Sequence, residues 1–225
     1  MTKQRERILR EKSGEFPRWT RTFQSFLEIA FDSLRMQQAE EENVWTDTQL
    51  MYEEILFAMI GMSGVRDEWE EPEFLPLAVT AGLEVICRAE KIESLFYFGT
   101  DNLGFFLSTN LNYAENIRKM DDNFWFRMSE LSQLGNLDLW EGRGYTDAQK
   151  RMEPHFHRKT KSKVFQMIRA SIALEKHDGS CMDLGSVIVR WSYDTPWELL
   201  LEKGALALRN LYKINEALWK KRGKD

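Results

Sequence analysis

Between Lys150 and Lys163 the chain sets Lys150, Arg151, Arg158, Lys159, Lys161 and Lys163 against a single acid, Glu153. His155, Phe156 and His157 interleave rings with that charge. Cations neutralise phosphates and release counterions, and rings stack on unpaired bases. The six basic residues are therefore candidates for contact with nucleic acid or another anion; the plainer alternative is a solvated loop leading into a helix. The same stretch also offers metal chemistry. His155, His157, His177 and Cys181 match in number and type what a structural zinc accepts. On a helix His155 and His157 would face different ways, so the set needs extended backbone, which Pro154 favours. Structural zinc sites usually carry more cysteine than this. The chain is thus read as needing no cofactor, with zinc at these four residues as the exception. Glu175, His177 and Asp178 could serve in acid–base work and Cys181 as a nucleophile, but no spacing supplies them with a partner.

Stronger signatures are missing from the sequence. It has no Gly-x-x-x-x-Gly-Lys phosphate loop, no Gly-x-Ser-x-Gly elbow, no His-Glu-x-x-His motif and no Cys-x-x-Cys. Gly142-Arg143-Gly144 is too short and isolated to cradle a phosphate. No motif identifies a family, and the reading leans away from an enzyme.

The basic stretch lies just beyond a change in charge sign. Residues 1–140 carry 14 Lys and Arg against 25 Asp and Glu, a net of −11. Residues 141–225 carry 17 against 11, a net of +6. Such asymmetry marks either an anionic partner for the basic part or attraction between the two parts of one fold. Two regions are expected, 1–140 acidic and aromatic-rich and 141–225 basic, packed as one compact domain or two close subdomains. With 225 residues, 43% hydrophobic, there is material for a real core. Cys87 and Cys181 read as free thiols in a reducing compartment. No secretory signal is expected from MTKQRERILREK, and no apolar window is long enough to span a membrane. The expected setting is cytoplasmic.

The elements that would carry these residues read as helices. Trp19, Phe23, Phe26, Leu27, Ala30, Phe31 and Leu34 form a helical stripe behind Pro17. Thr46 to Gln49 reads as a capping box opening a helix from Asp47 to about Ile60. The acidic tract Asp67 to Glu73, with Trp69 embedded, reads as a surface loop. Helices are then expected from Pro76 towards Phe98, from about Asn102 to Ala114 behind an N-cap at Thr100 to Asn102, and from Asp121-Asp122 to Gly135, the aspartates serving as a cap rather than a magnesium site. Gly135 to Gly144 is expected to be a loop. Thr146 to Gln149 opens another helix, stopped by Pro154, and a further one runs from Val164 to Glu175. Only Leu184 to Trp191 reads as strand, because Val187-Ile188-Val189 is β-branched. A last helix follows Thr195-Pro196-Trp197-Glu198 to about Lys221, with Gly204 suggesting close approach of a neighbouring backbone. Its terminal Lys220, Lys221, Arg222 and Lys224 suit a helix end or a binding tail.

The expected architecture is all-α: a multi-helix bundle or irregular helical array with one short strand near 186–191. The expected function is that of a non-catalytic helical adaptor or subunit with a protein partner, its basic third meeting nucleic acid or an acidic protein surface. A stand-alone nucleic-acid-binding regulator is the alternative, and an enzyme without a visible motif comes third.

Overall fold

The computed structural model describes residues 3–30, 39–77, 82–140 and 186–222. It overturns the all-α expectation. Five strands that the sequence reading did not anticipate join the expected one in a six-stranded antiparallel sheet, and helices pack on one face of it.

Helices α1 (Lys3–Ser13), α2 (Phe16–Ala30) and α3 (Ala39–Ser63) open the chain. The stripe in α2 works as expected: Trp19, Phe23, Phe26 and Ala30 are buried. Helix α1 is mostly solvated, and its polar side chains serve a neighbour. Gln4 Nε2 donates to Gly61 O at 3.0 Å and Arg5 Nε to Met62 O at 2.9 Å, so α1 caps carbonyls that the last turn of α3 leaves unpaired. The expected start of a helix at Thr46 is overturned. Helix α3 begins earlier and runs through it, and Thr48 turns its hydroxyl back onto Val44 O at 2.6 Å.

Strands β1 (Glu73–Leu77), β2 (Gly82–Ala89), β3 (Ser94–Asp101) and β4 (Gly104–Asn110) replace the expected helices between Pro76 and Ala114. They form a meander in which each strand pairs antiparallel with the next. Leu83, Val85, Cys87 and Ala89, then Phe96, Phe98 and Thr100, then Phe105, Leu107 and Thr109, all turn to the helix side and are buried. That alternation of period two is hidden because Ile86 and Phe106 on the reverse face are buried as well. A strand buried on both faces reads as a continuous apolar run, which a helix can also produce. The cap expected at Thr100 to Asn102 is a hairpin turn. Asp101 Oδ1 accepts from Leu103 N at 2.9 Å, the same short-range chemistry that caps a helix. Gly104 follows at φ 136°, where an added Cβ would lie 2.1 Å from Trp191 O.

A 3₁₀ turn (Ala114–Lys119) leads to α4 (Asp122–Leu134). Its cap is the expected one: the Asp121 carboxylate accepts from Phe124 N at 3.1 Å. The loop expected after Gly135 begins as strand β5 (Asn136–Trp140). Strand β6 (Ser186–Trp191) then enters between β4 and β5, giving the order β1-β2-β3-β4-β6-β5. This is the strand the sequence predicted, and the sheet supplies both its partners.

Helix α5 (Trp197–Trp219) begins one residue later than the expected first turn, with Pro196 at its cap. It packs on α3 and α4 and joins α2, α3, α4 and the sheet's helix side in one core. No described helix is long and apolar enough to cross a membrane. At Gly204 the close neighbour is a side chain rather than backbone: an added Cβ would meet Met59 Cε at 2.4 Å and Sδ at 2.6 Å. Overpacking costs about 1–3 kcal/mol, against about 1 kcal/mol gained when alanine replaces a helical glycine. Gly204→Ala is therefore expected to change stability by between zero and a loss of about 2 kcal/mol in urea unfolding. In a Met59→Ala background the same change should stabilise by about 1 kcal/mol. A gain of equal size in both backgrounds would contradict the contact.

Candidate functional site

The residues singled out from the sequence as a nucleic-acid, metal or acid–base site lie outside the described residues. This holds for Lys150, Arg151, Arg158, Lys159, Lys161 and Lys163, for His155, His157, His177 and Cys181, and for Glu175 and Asp178. The structure does fix the two strands on either side of them. β5 ends at Trp140, β6 begins at Ser186, and these two residues are direct partners in the sheet. The intervening stretch leaves and re-enters the sheet at one point.

Other charged features are absorbed by the fold. Asp67 accepts from Glu68 N at 2.7 Å, Lys91 N at 3.0 Å and the Tyr212 hydroxyl at 2.7 Å. Trp69 bridges to Ala89 and packs edge-on against Phe96. Asp67 and Trp69 thus brace α5 against the sheet, while Glu68, Glu70, Glu71 and Glu73 of the tract are exposed. At the end of α5, Lys220 pairs with Glu216 at 3.0 Å. Arg222 pairs with Glu93 at 2.8 Å and lies 4.2 Å over the Trp219 ring. These two cations hold structure together rather than forming a loose tail.

Among the described residues, a polar grouping lies on the reverse face of the sheet. Strand register explains it. Glu84, Gly99, Phe106, Arg190 and Asn136 form one row across five strands, and Ile86, Tyr97, Ser108, Ile188 and Asp138 form the next. Asn110 and Ser186 follow as partners. Arg190 Nη1 reaches past β4 to Asp101 Oδ2 at 2.5 Å, and both side chains are largely buried. Asp101 is held in turn by Leu103 N, and its carbonyl accepts from the Tyr193 hydroxyl. The Arg190 guanidinium carbon lies 5.7 Å from the Phe106 ring centroid. Along the sheet Ser186 Oγ donates to Asn110 Oδ1 at 2.5 Å, and Asn110 Nδ2 donates to the Tyr97 hydroxyl at 3.3 Å.

Electrostatics follow from burial. Loss of water raises the Glu84 carboxyl to about 7. The Tyr97 phenol is raised by burial, with the Glu84 charge adding to it. The Tyr193 phenol is pushed up to about 12 by burial and by Asp101. On the helix side, burial lifts the unbridged Cys87 thiol to about 11 while it donates to Glu70 O, so it behaves as an inert core thiol. The reverse face therefore combines a fixed cation, a carboxyl that titrates near neutrality and several hydroxyl and amide groups. The cation is already neutralised by Asp101, and Glu84 is the group that exchanges a proton near neutrality. Among the described residues no group of three His, Cys, Asp or Glu side chains is placed to hold a metal ion.

None of these residues was marked from the sequence, because strand register alone brings Glu84, Tyr97, Asp101 and Arg190 to one face. Period-two reading of GLEVICRA, with Glu84 and Arg88 alternating against Leu83, Val85 and Cys87, was the available signal. Comparison with protein-family models, with curated proteins and with solved structures yields no match.

Glu84 gives the site a measurable signature. Its folded value of about 7 lies above its ordinary 4.5, so the native state holds the proton more tightly than the unfolded chain. Below about pH 4 the carboxyl is neutral in both states and costs nothing. As pH rises towards 7 and beyond, the native state carries a desolvated charge and loses stability. Glu84→Gln should match the wild type near pH 4 and exceed it in thermal stability at pH 8. Equal stability at both pH values would show that Glu84 is fully solvated.

Proposed function

We propose that the protein is a non-catalytic binding subunit of a macromolecular assembly, and that its basic stretch between β5 and β6 contacts an anionic partner, with nucleic acid the first to be tested. The observation that supports this is the pairing of Trp140 with Ser186. The 45 residues between them carry nine Lys and Arg, including the six of Lys150 to Lys163. Both ends of this cationic stretch are fastened to adjacent strands. Holding both ends reduces the entropy lost when a chain segment orders on a partner. The segment carries Phe156 and two histidines among its cations, suited to stacking on unpaired bases. Within the acidic tract Asp67 is held by Lys91 N and Tyr212, and Glu70 pairs with Arg88 at the surface.

The test is binding of a labelled single-stranded oligonucleotide by the full chain at two salt concentrations, against a variant with Arg158→Glu, Lys159→Glu, Lys161→Glu and Lys163→Glu. The wild type should bind with an affinity that falls steeply with salt, because each neutralised phosphate contributes a slope of about −0.7 in log–log form for single strands. The variant should bind at least about tenfold more weakly and with a shallower slope. Equal affinities, or no binding by either protein, would overturn nucleic acid as the partner.

A further inference from the structure

We propose that the reverse face of the sheet is a docking face for a segment of this chain, residues 141–185, which covers Ile86, Phe106 and Ile188 with apolar side chains of its own. The proposal does not rest on the nucleic-acid role of Lys150 to Lys163, because it concerns a different part of the segment.

Burial is the starting point. An antiparallel sheet with helices on one face commonly leaves the other face in water. Here the reverse face is dry: Ile86 is 7% exposed, Phe106 6% and Ile188 3%. Register spreads these residues over β2, β4 and β6 in two adjacent rows. The side chains of Arg190 and Asp101 are 14% and 10% exposed, where a bare face would leave both in solvent. Loss of water also raises the Glu84 carboxyl, at the β2 end of the same row. The described helices are not the cover. They join Leu83, Val85, Phe96, Phe98 and Val189 in one core, and Ile86, Phe106 and Ile188 are not part of it. These exposures belong to a single chain, so a second copy is not needed to produce them.

Connectivity selects the segment. Of the residues outside the description, 31–38 join α2 to α3, 223–225 follow α5, and 1–2 precede α1, all attached to the helix layer. Residues 78–81 link β1 to β2. A four-residue link tied at both ends cannot reach β6, which lies three strand spacings beyond β2, about 14 Å. Residues 141–185 leave the sheet at Trp140 and re-enter at Ser186, in a row that Asn110 shares. Forty-five residues reach β2 even when compact, since ten residues of helix span about 15 Å. The segment also has the right chemistry. Val164, Phe165, Ile168 and Ile172 follow at spacings of one, three and four, an apolar stripe of the kind that packs on a sheet. The six cations from Lys150 to Lys163 all precede that stripe, so docking through it leaves their charges for a partner.

The experiment is photocrosslinking of the full chain with p-benzoylphenylalanine in place of Tyr97, a half-buried residue in the row of Ile86 and Ile188. Mass spectrometry should find adducts within one chain to peptides of residues 141–185. The double variant Phe165→Glu and Ile168→Glu should lose them. The quadruple Glu variant of the basic stretch should keep them, whether or not it binds an oligonucleotide. A second measurement needs no probe: tryptic cleavage within 141–185 should be at least about tenfold faster in the double variant than in the wild type, because cleavage follows the undocked population. Adducts only between copies, adducts only outside 141–185, or no adducts would overturn the proposal. So would adducts that persist in the double variant, or equal cleavage rates in the two proteins.

Discussion

The fold depends on β6 taking its place between β4 and β5. Without it, β5 has no partner and the meander β1 to β4 ends on an open edge. β6 supplies Val187, Val189 and Trp191 to the helix-side core and Ile188 to the reverse face, and all four are buried. Three side-chain bonds then fix its register. Ser186 bonds Asn110 at one end, Arg190 crosses β4 to Asp101 at the other, and Trp191 Nε1 donates to Leu134 O at 2.8 Å. A one-residue slip would exchange Val187 and Val189 for Ile188 and Arg190, placing a guanidinium in the core. The pairing of Asn110 with Ser186 also closes a long stretch of chain, an entropic cost that grows only slowly with length and is offset by this burial.

The helix layer follows from the same insertion. The chain leaves β6 through Tyr193, whose ring packs against Phe23 and Phe105, and enters α5 at Trp197, whose ring packs against Trp19, Phe23 and Phe105. One aromatic cluster thus joins α2, β4 and the start of α5. Further along, Asn215 donates to Thr109 Oγ1 at 2.8 Å, and Asn116 donates to Leu218 O at 3.3 Å. Helix α5 is therefore tied to β4 through Trp197 and Asn215 and to the 3₁₀ turn through Leu218. This explains why its sequence pattern was the clearest in the chain: Leu200, Gly204, Ala207, Leu208, Leu211, Asn215 and Leu218 are all buried.

The legible elements were those whose burial is one-sided or whose signal is local. The stripe of α2, the Asp121 cap, the β-branched run of β6 and α5 belong to this group. The meander was misread because Ile86 and Phe106 are buried opposite the helix-side residues, which erases the alternation that marks a half-buried strand. Asp101 misled because a carboxylate two residues before a backbone N–H closes a turn as readily as it begins a helix. The reverse-face grouping was invisible for a different reason. Arg190 and Asp101 are 89 residues apart, and only the order of strands brings them together. The charge asymmetry stands as a count, and one ion pair crosses it at the surface, where Glu93 holds Arg222.

The most direct measurement is amide hydrogen exchange along β6 in the full chain. A strand paired on both sides has every successive N–H bonded, whereas a strand at an edge protects only alternate ones. Val187, Ile188, Val189 and Arg190 should exchange slowly and alike, close to the rate set by global unfolding. Rapid exchange at every second of these residues, or at all four, would contradict the central position of β6 and the residue grouping that depends on it.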